Sequence, residues 1–195
     1  MVDSGGQIQR FARDERLARH AGFWWGFAEG VFFFIVPDVY ISFATLFALR
    51  AGAVAWAFSI AGSAVAVVVI YLLAVVAGLD YVGFLSMIPG ISDALVTRVT
   101  AQVEANGLPY TPLLVFGGVP LKLYAAASFS LGLSLGSVLL WTAVARIARI
   151  APTFVVVAGI RLLLGQRIDA RTMVWTAVLG AFWTAFYIFY FVAMS

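Results

Sequence analysis

Val119-Pro120-Leu121-Lys122 opens a stretch with no formal charge from Leu123 to Ala145. Charge then returns as Arg146-Ile147-Ala148-Arg149, ahead of a second apolar run to Ile160. Counted from the small-residue segment near Gly132, roughly 15 residues at 1.5 Å each carry Arg146 about 20 Å along a helix, deep within a hydrocarbon layer about 30 Å thick. An ionisable side chain at that depth is costly and calls for a partner or a watery cavity. Lys122, Arg146 and Arg149 are therefore the first candidates for function.

The surrounding composition supports a membrane setting. The 195 residues are 64% hydrophobic and 11% charged, against roughly half and a quarter in soluble domains. The expected fold is an all-α integral membrane protein of one compact domain. There is no cysteine, which excludes disulfides and thiolate metal sites. The single histidine, His20, lies in a polar N-terminal segment, so no histidine metal centre is expected. No nucleophile–base pair stands out, so neither catalytic residues nor a cofactor are expected. The net charge of +3 is spread around apolar segments and forms no basic stripe with stacking aromatics, so nucleic acid is not an expected partner.

Working outward, residues 1–22 read as a tail and a basic interfacial helix, with Arg10, Arg13, Arg16 and Arg19 at a spacing of three among Ile8, Phe11 and Leu17. No removable signal peptide is expected. Residues 23–49 are long enough to span, yet contain Glu29 and the break Val36-Pro37-Asp38. Proline removes a backbone donor and restricts the residue before it. Broken helices at membrane depth are tolerated where they are buried or line a cavity. A re-entrant hairpin of two half-helices, about 23–35 and 38–49, is one reading, and a proline-kinked spanning helix is the other. Residues 51–77 read as a spanning helix whose Gly52, Ser59, Gly62 and Ser63 permit close packing. Residues 78–107 form a surface connector with a short helix near 93–105, capped by Ser92 or Asp93 and ended by Asn106-Gly107.

Residues 108–130 repeat the pattern of the first hairpin, with breaks at Gly117, Gly118 and Pro120 and Lys122 just after. A pair of interrupted apolar segments in matching positions of two halves points to a transporter binding site. Residues 132–164 read as the long arginine helix, bent near Pro152, with a turn at Leu164-Gly165-Gln166. Residues 166–195 supply a final spanning helix, whose aromatic end (Phe182 to Phe191) reads as a lipid-facing belt. If each hairpin returns to its own side, Arg10 to Arg19, Arg50, Arg161, Arg167 and Arg171 share one face. The positive-inside rule then makes the N-terminus cytoplasmic in a multi-pass protein of the cell (inner) membrane.

Glu29 ahead of Phe32-Phe33-Phe34-Ile35-Val36-Pro37-Asp38, the Gly62-Ser63 helix, Pro120-Leu121-Lys122 running into Ala125-Ala126-Ala127, and Arg146-Ile147-Ala148-Arg149 together resemble the DedA family, also called the VTT or SNARE-associated membrane protein family. The resemblance covers about residues 23–165. Only Pro37 stands where members often have Pro-x-Pro, Ala145 stands where a glycine commonly precedes the first arginine, and Lys122 stands near where many members have arginine. These departures mark a divergent branch. The resemblance implies an inverted repeat of two re-entrant hairpins facing each other near the midplane, each followed by a spanning helix. It also implies lipid or ion-coupled transport, including undecaprenyl-phosphate recycling and phospholipid scrambling, with dependence on the proton motive force.

Glu29, Asp38, Lys122, Arg146 and Arg149 thus form the candidate site. Arginine offers a planar fork matched to phosphate oxygens, and lysine a point charge. Lys122, Arg146 and Arg149 are read as the substrate-binding residues. Glu29 and Asp38 are read as proton-coupling residues, since burial favours the neutral acid while nearby cations favour the carboxylate. The expected function is a transporter or flippase for an anionic lipid phosphate, with membrane lipids and protons as partners and a homo-oligomer left open. The alternative is a non-transporting scaffold for envelope maintenance whose charges pair for structure alone. The topology has a direct check. Cysteines placed near Leu49 and near Arg10 are expected to react from the same, cytoplasmic side; labelling from opposite sides would restore a kinked spanning helix.

Overall fold

The computed structural model describes residues 4–32, 35–88, 91–109 and 119–194, and is helical with no strand among them. The helices are α1 (Ser4–Arg13), α2 (Glu15–Val31), α3 (Asp38–Phe47), α4 (Leu49–Tyr71, continued by a π-helical turn Leu72–Val76), α5 (Tyr81–Ser86), α6 (Asp93–Asn106), α7 (Leu121–Ser130), α8 (Leu135–Ala170) and α9 (Thr172–Met194). Among the described residues three stretches are long and apolar enough to cross a membrane: Leu49–Val76, Leu135–Ala170 and Thr172–Tyr190. The chain divides into two compact units, residues 1–22, 37–58 and 152–195 in the first, and residues 23–36 and 59–151 in the second.

In the first unit the basic N-terminal segment is two helices where one was expected. The Asp14 carboxylate accepts from the backbone N–H groups of Arg16 and Leu17, at 2.8 and 3.2 Å. It thereby caps α2 and interrupts α1. The Asp169 carboxylate then anchors α1, accepting from Arg13 at 2.9 Å and from both Arg161 Nη atoms at 2.8 and 3.0 Å. Pro37 stands immediately before α3, and the extended Ala48 (φ −154°, ψ 111°) separates α3 from α4. Gly52 allows the close approach of Thr45, whose Oγ1 would lie 2.0 Å from an added Cβ.

The segment after Ile160 departs from expectation. α8 runs without interruption through Gly165 to Ala170, so the turn expected at Leu164-Gly165-Gln166 is absent, and the helix is interrupted only at Arg171 before α9. An interior glycine costs a helix only about 1 kcal/mol relative to alanine. Here Leu162 to Leu164 and Gln166-Arg167 favour helix on either side, and Arg161 bridges the position by donating to the Gly165 carbonyl and to Asp169. On α9, Phe182 and Phe189 are exposed while Trp183 is buried and donates to Ser42 Oγ at 2.9 Å.

The second unit holds the arm of α2 from Phe23 to Val31, the later part of α4, α5, α6, α7 and the first part of α8. The connector does more than lie on a surface: Tyr81, Leu85, Val99 and Val103 build a core with Leu123 and Tyr124 of α7. Ser92 caps α6 through Leu95 N, and Gly107 ends it at φ +71°, a conformation favouring glycine. Tyr81 Oη donates to the Val31 carbonyl at 3.0 Å. Burial pushes its phenol up to about 12, so it remains a donor. α8 begins at Leu135 rather than at Gly132. Gly132 sits at φ +78° in the turn that ends α7, and Ser134 Oγ accepts from Ser137 N.

Small residues bring α2 and α4 together. In the second unit, added Cβ atoms on Gly26 and Gly62 would lie 2.1 Å from the Ser59 carbonyl oxygen and 2.0 Å from the Phe23 carbonyl oxygen. Ser63 Oγ donates to the Gly26 carbonyl at 3.2 Å. Backbone atoms cannot step aside, so Gly26→Ala and Gly62→Ala are each expected to destabilise by about 1–3 kcal/mol. Gly159→Ala, where nothing stands within 4 Å, is expected to be neutral or stabilising. Thermal unfolding in detergent reads the difference; equal midpoints for all three would contradict this packing.

Candidate functional site

Four of the five candidate charges lie in the second unit, and three of them, Glu29, Lys122 and Arg146, are buried there. Glu29 lies in the last two turns of α2, within the arm held by Gly26 and Gly30. Lys122 is the second residue of α7, whose start is set by the extended Pro120. Arg146 lies three turns into α8. α7 and α8 pack together here: Leu121 clusters with Ala145 and Trp141, and the Tyr124 and Trp141 rings are 5.2 Å apart. Trp141 Nε1 donates to the Pro109 carbonyl at 2.9 Å.

Arg146 is 1% exposed and Lys122 2%, depths at which ionised groups need partners. Arg146 Nη2 pairs with Glu29 Oε2. Lys122 Nζ donates to the Glu29 backbone carbonyl at 3.3 Å. One glutamate therefore takes both cations, one through its side chain and one through its main chain.

The pairing leaves donors unfilled. Arg146 Nε, Thr142 Oγ1 and Ser128 Oγ are buried without a hydrogen-bond partner among the described residues. Each such group costs about 1–3 kcal/mol in desolvation. The sequence reading passed over Thr142, although a polar residue four positions before a buried arginine shares its helix face.

The other two candidate charges stand differently. Arg149 belongs to the same unit and is half-exposed rather than buried. Asp38 belongs to the first unit, is buried, and accepts from Thr153 Oγ1 at 2.9 Å. Pro37 and Pro120 stand immediately before α3 and α7. Gly117 and Gly118 lie outside the described residues. No cluster of three metal-ligating side chains occurs among the described residues. Comparison with protein-family models, curated proteins and solved structures gives no match.

Removing one member of a buried ion pair strands the other, at about 3–5 kcal/mol, whereas replacing both by apolar groups is often neutral. Glu29→Met and Arg146→Met are each expected to destabilise strongly, and the double variant is expected to be more stable than either single one. Chemical unfolding in detergent measures this; additive losses would show that the two side chains do not depend on each other.

Proposed function

We propose that this protein is a membrane transporter or flippase of DedA type, moving an anionic lipid phosphate or phospholipid across the bilayer with proton coupling. A polyprenyl phosphate such as undecaprenyl phosphate fits this chemistry. The supporting observation is the fully buried Arg146, paired with Glu29 yet with its Nε–H unbonded among the described residues, and Lys122 buried beside the same glutamate. A purely structural pair would fill its donors. A phosphate supplies negative charge and several acceptors, and a guanidinium fork suits it.

On this reading residues 23–49 and 108–130 are the arms of two re-entrant hairpins, broken at Pro37 and Pro120. Arg149 is an additional cation on the route of the headgroup. Glu29 is the proton-coupling acid of the buried cluster, because an incoming anion competes with it for Arg146. A carboxylate that loses its cation in an apolar interior is driven to take up a proton. Asp38 is the second candidate acid.

Reconstituted vesicles with a fluorescent lipid phosphate and a neutral analogue of the same chain test this. The parent is expected to accelerate movement of the phosphate alone. Arg146→Lys keeps charge but loses the fork, and is expected to slow transport about ten-fold or more, the worth of one hydrogen bond to a charged group. Equal rates for charged and neutral lipids, or full activity in folded Arg146→Lys and Arg149→Lys proteins, would overturn the proposal.

A further inference from the structure

Thr142 stands one helical turn before Arg146 on α8, so the two share a face with Cβ atoms about 5–6 Å apart. Long side chains on a helix lean toward its N-terminus and cover the preceding turn. The Arg146 stem therefore leans toward Thr142. Thr142 is fully buried, yet its hydroxyl makes no hydrogen bond among the described residues. A buried helical threonine ordinarily donates to the carbonyl one turn back, as Thr45 does to Ile41 at 2.6 Å in this same protein. Arg146 Nε is likewise without a partner, while its Nη2 is taken by Glu29. Two donors on adjacent turns of one buried face are thus left over among the described residues.

We infer that Thr142 is a specificity-determining residue of the anion site. Its hydroxyl and the Arg146 Nε–H donate to two oxygens of one tetrahedral oxyanion, and Glu29 holds the neighbouring Nη2 until the anion arrives. This rests on the proposed phosphate-transport reading and adds to it a residue and a donor geometry. The recognised chemistry is a phosphoryl group, carried by a lipid headgroup or by free phosphate. A packing role for this position would be served equally by valine, which has the same shape and no hydroxyl. The hydroxyl is therefore the informative atom.

The test compares the parent with Thr142→Val and Thr142→Ser, in detergent for binding and in vesicles for transport. The probes are a fluorescent short-chain polyprenyl phosphate, the corresponding alcohol, and inorganic phosphate as competitor. Thr142→Val is expected to raise the half-saturating concentration of the phosphate probe about ten-fold, the worth of one hydrogen bond to a charged group. It is expected to leave the maximal rate within about two-fold and the unfolding temperature unchanged or higher. Thr142→Ser, which keeps the hydroxyl, is expected to restore most of the affinity. Displacement by inorganic phosphate at matched concentrations assigns the free ion as ligand, and resistance assigns the lipid ester; either supports the inference when Thr142→Val weakens the same binding. If the parent moves the phosphate probe selectively and Thr142→Val binds it as tightly, the inference fails while the transport reading stands. If the parent neither binds nor moves the probe, both fail.

Discussion

A guanidinium taken fully out of water is the constraint around which the second unit is built. Arg146 needs a negative partner at its own depth, and Glu29 supplies it. For Glu29 to be there, α2 must lie hard against α4, and that is possible only because Gly26 and Gly62 let backbone meet backbone. Lys122 needs α7 to begin at the same level, and Pro120 starts α7 there in extended backbone. The α7–α8 contact through Leu121, Ala145 and Trp141 then brings the two cations to one glutamate. The close packing around Gly26, Gly30 and Gly62 and the charge cluster thus serve a single end.

Such an arrangement is a weak way to hold a protein together. The desolvation of two charges can exceed their attraction, and apolar residues of the same volume often serve better. The cluster also leaves the Arg146 Nε–H and the Thr142 and Ser128 hydroxyls without bonds among the described residues. Unfilled buried donors of this kind lower stability. Asp169 in the first unit shows the contrast. It is satisfied on every side, by Arg13, by both Arg161 nitrogens and through its carbonyl by Gln9, and it reads as a structural anchor for α1.

Much of this was legible in the sequence because the deciding residues leave strong local marks. The breaks at Pro37 and Pro120, the Ser92 cap and the Gly107 stop act through backbone geometry within a few residues. Glu29, Lys122 and Arg146 were conspicuous because charge is rare in apolar runs. Gly132 and Gly165 misled in opposite directions. Both are glycines between apolar stretches, but Gly132 adopts a positive φ and ends a helix, while Gly165 stays helical under Arg161 and Asp169, a pairing eight residues apart that local propensity does not contain. The pairing of Glu29 with Arg146 crosses 117 positions and depends on how α2 and α8 come to lie within one unit. Glycines at 22, 26 and 30 carried a readable four-residue spacing that signals close helix contact.

The central claim is that an anion displaces the Glu29 carboxylate from Arg146. Infrared difference spectroscopy of the purified protein reads that event at the carboxylate itself. Adding the lipid phosphate to the parent is predicted to remove carboxylate intensity and produce a protonated-carboxyl band, and both changes are predicted to vanish in Glu29→Gln. Saturating binding of the lipid phosphate with the Glu29 carboxylate bands unchanged would contradict the account.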